Sequence, residues 1–265
     1  MTIDVSSHTG FDLFLDPDTL ELEAGNRLKF KRATRKAKVL MSVLQSPNTV
    51  SPDTDMYHVY YLEDTPDDLS SILDPRGLTY SAVLLPPQII GREYVKTNGH
   101  YHPLIPGTSY GYPEVYTQLY GRLLLLLQKR NRADPGSPED CVLIDMVPGV
   151  TVTIPPDYAH VLINPTNELA LMAGLYNGGF KPDYGEIRQQ RGLAYYILDS
   201  KEDFEIVVNP LYSNPPPLHR QDDLTGTFFA PPDPGVPLWK SFLENPNTYS
   251  FLTEPEEVEN HFNVS

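Results

Sequence analysis

The sequence predicts an all-β protein folded as a closed antiparallel sandwich or barrel. Between Leu78 and about Leu198, short apolar-rich stretches recur at close spacing and are separated by Gly, Pro and Asn turns. The 27 prolines are about twice the usual ~5% frequency and imply many loops and short strands. The segment 113–121 also alternates with the period of a strand, setting Glu114, Tyr116 and Gln118 on one face and Val115, Thr117 and Leu119 on the other.

A chain of 265 residues lies near the upper end for a single domain, so one domain with extensions is expected. Residues 1–70 read as an N-terminal extension packing on the barrel, 71–210 as the barrel itself, and 211–265 as a Pro-rich wrapping segment. Within the first part, a short strand is expected around 20–23, ended by Gly25. A basic stretch runs from Arg27 to Lys38. From Arg35 to Leu44 the apolar residues fall on a helical stripe, and the charge run reads as a solvated face. Ser-Pro-Asn and Ser-Pro-Asp turns after residues 45 and 50 precede the first well-formed strand, Met56 to Leu62.

Within the barrel, strands are expected at Tyr80 to Leu85, Arg92 to Lys96, Gly99 to His102, Val115 to Leu119, Arg122 to Gln128, Cys141 to Met146, Thr151 to Ile154, His160 to Asn164 and Ala170 to Tyr176. Leu123 to Leu127 is apolar on both faces, which calls for a second covering layer, either the N-terminal segment or a second subunit. A homodimer is expected on that ground. Phe204 to Val208 reads as a further strand and Leu238 to Glu244 as a short helix. Trp239, Phe242, Phe251 and Phe262 make the tail too apolar to be wholly disordered.

The net charge of -15 argues against non-specific binding to nucleic acid or anionic membranes, both of which need a basic surface. An anionic ligand would need a local positive site, which a metal ion with a few Lys, Arg or backbone N–H groups can supply. Cys141 is the only cysteine, so no intrachain disulfide or thiolate cage can form, and a reducing cytoplasm fits. No basic-then-apolar leader opens the chain and no apolar run reaches the ~18 residues of a membrane span, so a soluble cytoplasmic protein is expected.

Strand alternation puts His100 and His102 on one face while Tyr101 points away. If the Glu114 face is the interior, Glu114 meets them. By itself a His-x-His pair reads as two satisfied or exposed histidines. The stretch from Gly149 to Asn164 adds weight, because a turn glycine, a strand, a Pro-Pro stop and His160 opening the next strand would bring a third imidazole beside the first two. Three imidazoles and one carboxylate suit one divalent transition metal, Fe, Mn, Ni or Zn, with coordination positions left open for substrate. Tyr116 shares the inward face, where its phenol can reach the carboxylate; it reads equally well as a core aromatic. Thr97 to Gly99 forms either an ordinary hairpin turn or a nest for phosphate oxygens. His8, His58, His219 and His261 read as surface or structural residues.

These two elements resemble the paired motifs of the cupin superfamily, and so imply a cupin jelly-roll barrel. Asp157 stands where the second motif has glycine, and Tyr94 where the first has one. Eleven residues separate His102 from Glu114, and their turn residues suit a hairpin-like excursion over the barrel mouth. Residues 96–102, 113–116, 155–160 and 183–185 together resemble the cupin-type glucose-6-phosphate isomerases. That resemblance implies phosphate contacts from Thr97 and Gly99, a metal held by His100, His102, Glu114 and His160, and a sugar pocket lined by Tyr176 and Tyr184. It implies a metal-dependent interconversion of glucose 6-phosphate and fructose 6-phosphate with Glu114 as base, by an enediolate or a hydride shift. Two rivals share the ligand set: a cupin Fe(II) dioxygenase, expected to have an apolar pocket, and a non-catalytic sugar-phosphate-binding cupin.

Overall fold

Alternating side chains require each sheet to bury one face, and this chain meets the requirement with stacked antiparallel layers. In the computed structural model, which describes residues 1–25, 28–64, 67–201 and 203–264, the largest sheet has six strands. Their order is Thr151–Ile154, Glu114–Tyr120, Ala170–Asn177, Leu78–Leu85, Asp55–Asp64 and Lys29–Lys36, with every neighbour antiparallel. A second sheet places Leu123–Lys129 between Tyr158–Ile163 and Asp140–Met146, with the short His219–Arg220 strand added in parallel at its edge. The inner faces of both sheets meet in one apolar cluster that includes Tyr57, Val152, Met172, Leu125 and Leu162. The molecule is thus all-β in its core, a jelly-roll sandwich whose hydrogen-bonded ladders stay separate instead of closing into one barrel.

Leu123 to Leu127 is buried on both faces. Its second cover comes from within the chain, in part from the N-terminal segment, whose Ala37, Leu40, Val43 and Leu44 join its cluster. A third sheet, Asp203–Val208, Tyr195–Ser200, Glu93–Tyr94 and Ile89–Ile90, lies beyond it, with Leu193 and Ile197 joining the same cluster as Leu124 and Leu126. Gln128 ties the layers: its side-chain NH2 donates to the hydroxyls of Tyr101 and Tyr212, both at 3.1 Å, and its carbonyl accepts Ala194 N–H at 2.8 Å. The doubly apolar strand is therefore satisfied within the chain and carries no argument for a dimer.

The N-terminal segment and the tail cover the other side of the six-stranded sheet. Val5, Phe11 and Leu13 join Val115, Leu119, Leu171, Leu175, Tyr80 and Leu84 with Trp239, Phe242, Phe251 and Phe262 in a second core. Trp239 packs edge-on against Tyr80 (4.7 Å between centroids) and Phe11 (5.7 Å), geometry that aromatic quadrupoles favour.

Three local expectations need correction. Arg35 and Lys36 end a strand, Lys29–Lys36, and the helical stripe is overridden by pairing with Asp55–Asp64. Cross-strand pairs Lys31–Glu63 and Lys36–Asp55 (3.0 and 2.8 Å) support that pairing, and the charges protect an edge strand from further partners. Gly99 to His102 is not a strand: His100 and Tyr101 make single bridges, to His160 and Asp183. The expected strand at 92–96 shrinks to Glu93–Tyr94. Among the elements that escaped the sequence reading are the Tyr195–Ser200 strand and the Pro255–Phe262 helix. Among the described residues no helix is long and apolar enough to cross a membrane.

Candidate active site

All nine residues singled out from the sequence line one cavity of about 360 Å³ between the two main sheets: Thr97, Gly99, His100, His102, Glu114, Tyr116, His160, Tyr176 and Tyr184. Ligand nitrogens of His100, His102 and His160 lie within 4.8 Å of one another. Glu114 Oε2 is 3.3 Å from His102 Nε2 and 3.4 Å from His160 Nε2, so the carboxylate sits against two of the three imidazoles.

Two of the imidazoles are oriented by backbone carbonyls. His102 Nδ1 lies 2.8 Å from the Tyr112 carbonyl and His160 Nδ1 3.4 Å from that of Tyr158. Donation from Nδ1–H in both rings leaves Nε2 as the lone-pair nitrogen facing the cavity. His160 Nε2 is fully buried and has no hydrogen-bond partner. A buried, unpartnered acceptor beside two more imidazoles fits a divalent cation, which the three histidines could hold together. Burial, reinforced by the neighbouring rings, holds the pKa of His100 and of His160 well below the ordinary histidine value, so both stay neutral, as ligation requires.

Burial raises the Glu114 pKa, and the neighbouring His102 only partly opposes it. The Tyr116 phenol is held well above its usual range by burial and by the neighbouring Glu114 carboxylate. Gly174 opposite Tyr116 makes the room: a Cβ there would lie 2.9 Å from the Tyr116 ring and 3.0 Å from Glu114 Oε1.

The His run is tied to its surroundings on both sides. Thr97 N–H donates to Leu162 O at 2.9 Å, and Thr97 Oγ1 accepts Leu162 N–H at 3.0 Å. Gly99 adopts φ +73°, and a Cβ there would lie 2.5 Å from Val161. Tyr101, fully buried on the far side, lies under the Arg130 guanidinium at 4.5 Å. Arg130 also holds Asp183 and Glu186 at 2.8 and 2.7 Å, which fixes the turn that presents Tyr184, 5.5 Å from the His100 ring.

Asp157, where the cupin motif has glycine, has φ +65°, the left-handed conformation that glycine would supply. Its carboxylate accepts Gly111 N–H at 3.2 Å and pairs with Arg132. The excursion between His102 and Glu114 is hairpin-like, bridged between Leu104 and Gly111, but it does not cover the cavity. Ile105 and Tyr110 bury themselves in the outer core, and Tyr110 OH bonds Glu259 at 2.9 Å and the Pro255 carbonyl at 3.1 Å on the C-terminal helix. Phe180 lines the cavity instead, 4.4 Å from the His102 ring and stacked on Tyr112 at 5.1 Å.

Sequence reasoning missed Phe180, Asn98, Thr79, Ser81, Tyr57, Tyr61 and Arg35, which also line the cavity. Alternation groups Tyr57 with Tyr61 and Thr79 with Ser81. That signal was readable, but it does not say which face is inward.

A family profile described as glucose-6-phosphate isomerase (GPI) matches residues 34–210. Curated relatives named glucose-6-phosphate isomerase include one from Thermococcus gammatolerans, 27% identical over 73% of this chain and 94% of that protein. Another, from Pyrococcus furiosus, is 28% identical over 60% of this chain and 73% of that protein. Among solved structures, an oxalate oxidase in complex with the substrate analogue glycolate is 18% identical with a TM-score of 0.37, covering 54% of this chain and 61% of that one, a likeness too low to bear on function. With two thirds of its length inside the family match and a His-Glu centre between its sheets, the chain belongs to the cupin-type glucose-6-phosphate isomerase family.

Proposed function

We propose that this protein interconverts glucose 6-phosphate and fructose 6-phosphate with one divalent transition metal held by His100, His102, His160 and Glu114. The observation that carries the reading is the buried, unpartnered His160 Nε2 facing two further imidazoles and a carboxylate within one substrate-sized cavity. The hydroxyls of Thr79, Ser81, Thr97, Tyr176 and Tyr184 on the cavity wall favour a polyhydroxyl ligand over the apolar pocket of a dioxygenase.

The isomerisation moves a hydrogen between C1 and C2 while carbonyl and hydroxyl exchange places. When bound, the metal supplies charge stabilisation at the two oxygens. Glu114 carries the proton between the carbons, a role that requires it to be only a loosely held ligand; burial raises its pKa, which favours a carboxylate that both takes and returns a proton. The Tyr116 phenol steadies the ionised carboxylate by hydrogen bonding. Thr97 and the Gly99 backbone meet the phosphate, and Tyr176 and Tyr184 wall the sugar.

The test is solvent isotope exchange combined with Glu114→Gln. Deuterium from the solvent entering C2 of glucose 6-phosphate, with kcat lowered ~100-fold or more in a variant that keeps its metal, fits a proton carrier. Full retention of the substrate hydrogen with near-normal turnover in Glu114→Gln would replace this route by a hydride shift. A wild-type protein inactive with every divalent metal would overturn the assignment.

A further inference from the structure

Among the described residues, Arg35 has the only permanently cationic side chain lining the cavity, in a chain of net charge -15. Among the described residues it makes no ion pair. Its single side-chain hydrogen bond runs from Nη2 to Tyr61 OH at 2.8 Å, which leaves four of the five guanidinium donors open. Arg35 pairs in register with Tyr57 and so shares the inward face of the sheet. Its positive charge opposes the burial-driven pKa rise of Tyr57, Tyr176 and Tyr184, which places the guanidinium among the cavity's phenols.

The sheet register gives the distance scale. One inward row crosses neighbouring strands through Tyr116, Gly174, Ser81 and Tyr61. Three strand spacings separate its ends, roughly 14 Å along the sheet. Tyr116 and Glu114 reach inward from one end and the Arg35–Tyr61 pair from the other, which leaves a gap on the scale of an extended six-carbon chain ending in phosphate. The Glu114 end holds the cavity's one carboxylate and the Arg35 end its one fixed cation.

We infer that Arg35, held by Tyr61, is the anion anchor of this cavity and selects phosphorylated over unphosphorylated sugars. The inference takes its substrate class from the isomerase reading. Thr97 and Gly99 offer neutral hydrogen bonds to the phosphate, whereas Arg35 supplies the charge and a planar fork that phosphate oxygens match in pairs. The charge run that reads from sequence as a solvated face thus places one of its members inside.

The experiment compares wild type, Arg35→Gln, Arg35→Lys and Tyr61→Phe as metal-loaded protein. The Michaelis constant for glucose 6-phosphate and the inhibition constant for inorganic phosphate should both rise about 10- to 100-fold in Arg35→Gln, while kcat and metal content change little. Arg35→Lys should recover part of the loss, and Tyr61→Phe should show a smaller rise. Calorimetric binding of sorbitol 6-phosphate and of sorbitol separates the inference from the reading beneath it. Arg35-dependent binding of the phosphorylated polyol by a protein without turnover keeps the anchor and sinks the isomerase. Normal turnover with unchanged constants in Arg35→Gln keeps the isomerase and sinks the anchor. Should Arg35→Gln fail to fold, the decision passes to Arg35→Lys, whose unchanged phosphate inhibition would also count against the anchor.

Discussion

The two faces of the six-stranded sheet are made by the same strands and do opposite work. Tyr116, Tyr176, Thr79, Ser81 and Tyr61 point into the cavity, whereas their sequence neighbours Val115, Leu175, Tyr80, Ala82 and Tyr60 lie in the dry outer core under the tail. The inner face leaves a large void and a buried nitrogen without a partner, both of which cost stability in the ligand-free protein. The outer face makes close aromatic contacts around Trp239 and offsets those costs. A strand period of two lets one sheet carry function and stability independently, provided its register never slips by one residue.

That independence can be broken from either side. The largest expected effect is on the inner face: His160→Ala should abolish metal retention and lower isomerase turnover at least ~1000-fold, reflecting several kcal/mol of lost charge stabilisation. Its urea midpoint should stay close to that of the metal-free wild type. A large drop in that midpoint would mean that the centre also holds the fold together.

On the outer face, Trp239→Ala should cost about 3–5 kcal/mol in urea unfolding, because a fully packed aromatic is lost from beneath Tyr80 and Phe11. The protein that remains folded should keep its Michaelis constant and metal content. A changed Michaelis constant would show that the tail acts on the cavity through the sheet.

The smallest effect concerns pH and sharpens the inner-face account. His100 and His160 have depressed folded pKa values, so below 6.5 the unfolded chain takes up protons that the folded rings refuse. Their share of stability is fully present above that pH and is lost as pH falls toward the folded values. Glu114, raised in the fold, has the opposite sign: its contribution is present below its unfolded value of 4.5 and is lost as pH rises through the folded one. Between about pH 7.5 and about pH 5 the urea midpoint of metal-stripped wild type should therefore decline more steeply than that of the His100→Gln, His160→Gln double variant. Equal slopes would mean that the rings are more hydrated than their burial implies.

Much of this was legible in the chain. Nearly every strand between Leu78 and Tyr176 was recoverable from alternation and turn residues, as was the Leu238–Glu244 helix. Glu114 and Tyr116 were assigned to one face by spacing alone. The two histidines before them converge as expected, although outside any ladder: His100 and Tyr101 make single bridges, and the residues on either side carry no strand.

What sequence could not decide was everything that depends on which distant segments become neighbours. Arg35 lies in a run whose local pattern favours a helix, and only pairing with Asp55–Asp64 turns its side chain inward. The cover over Leu123 to Leu127 comes in part from a strand more than sixty residues away, and the excursion after His102 is drawn off by Tyr110 and Glu259 at the far end of the chain. Periodicity is set by the backbone within a few residues, so the sequence by itself determined the strands, their alternation and the ligand types. Facing, layer order and the 3.3–3.4 Å approach of Glu114 to two imidazoles depend on long-range burial, which only the folded chain decides.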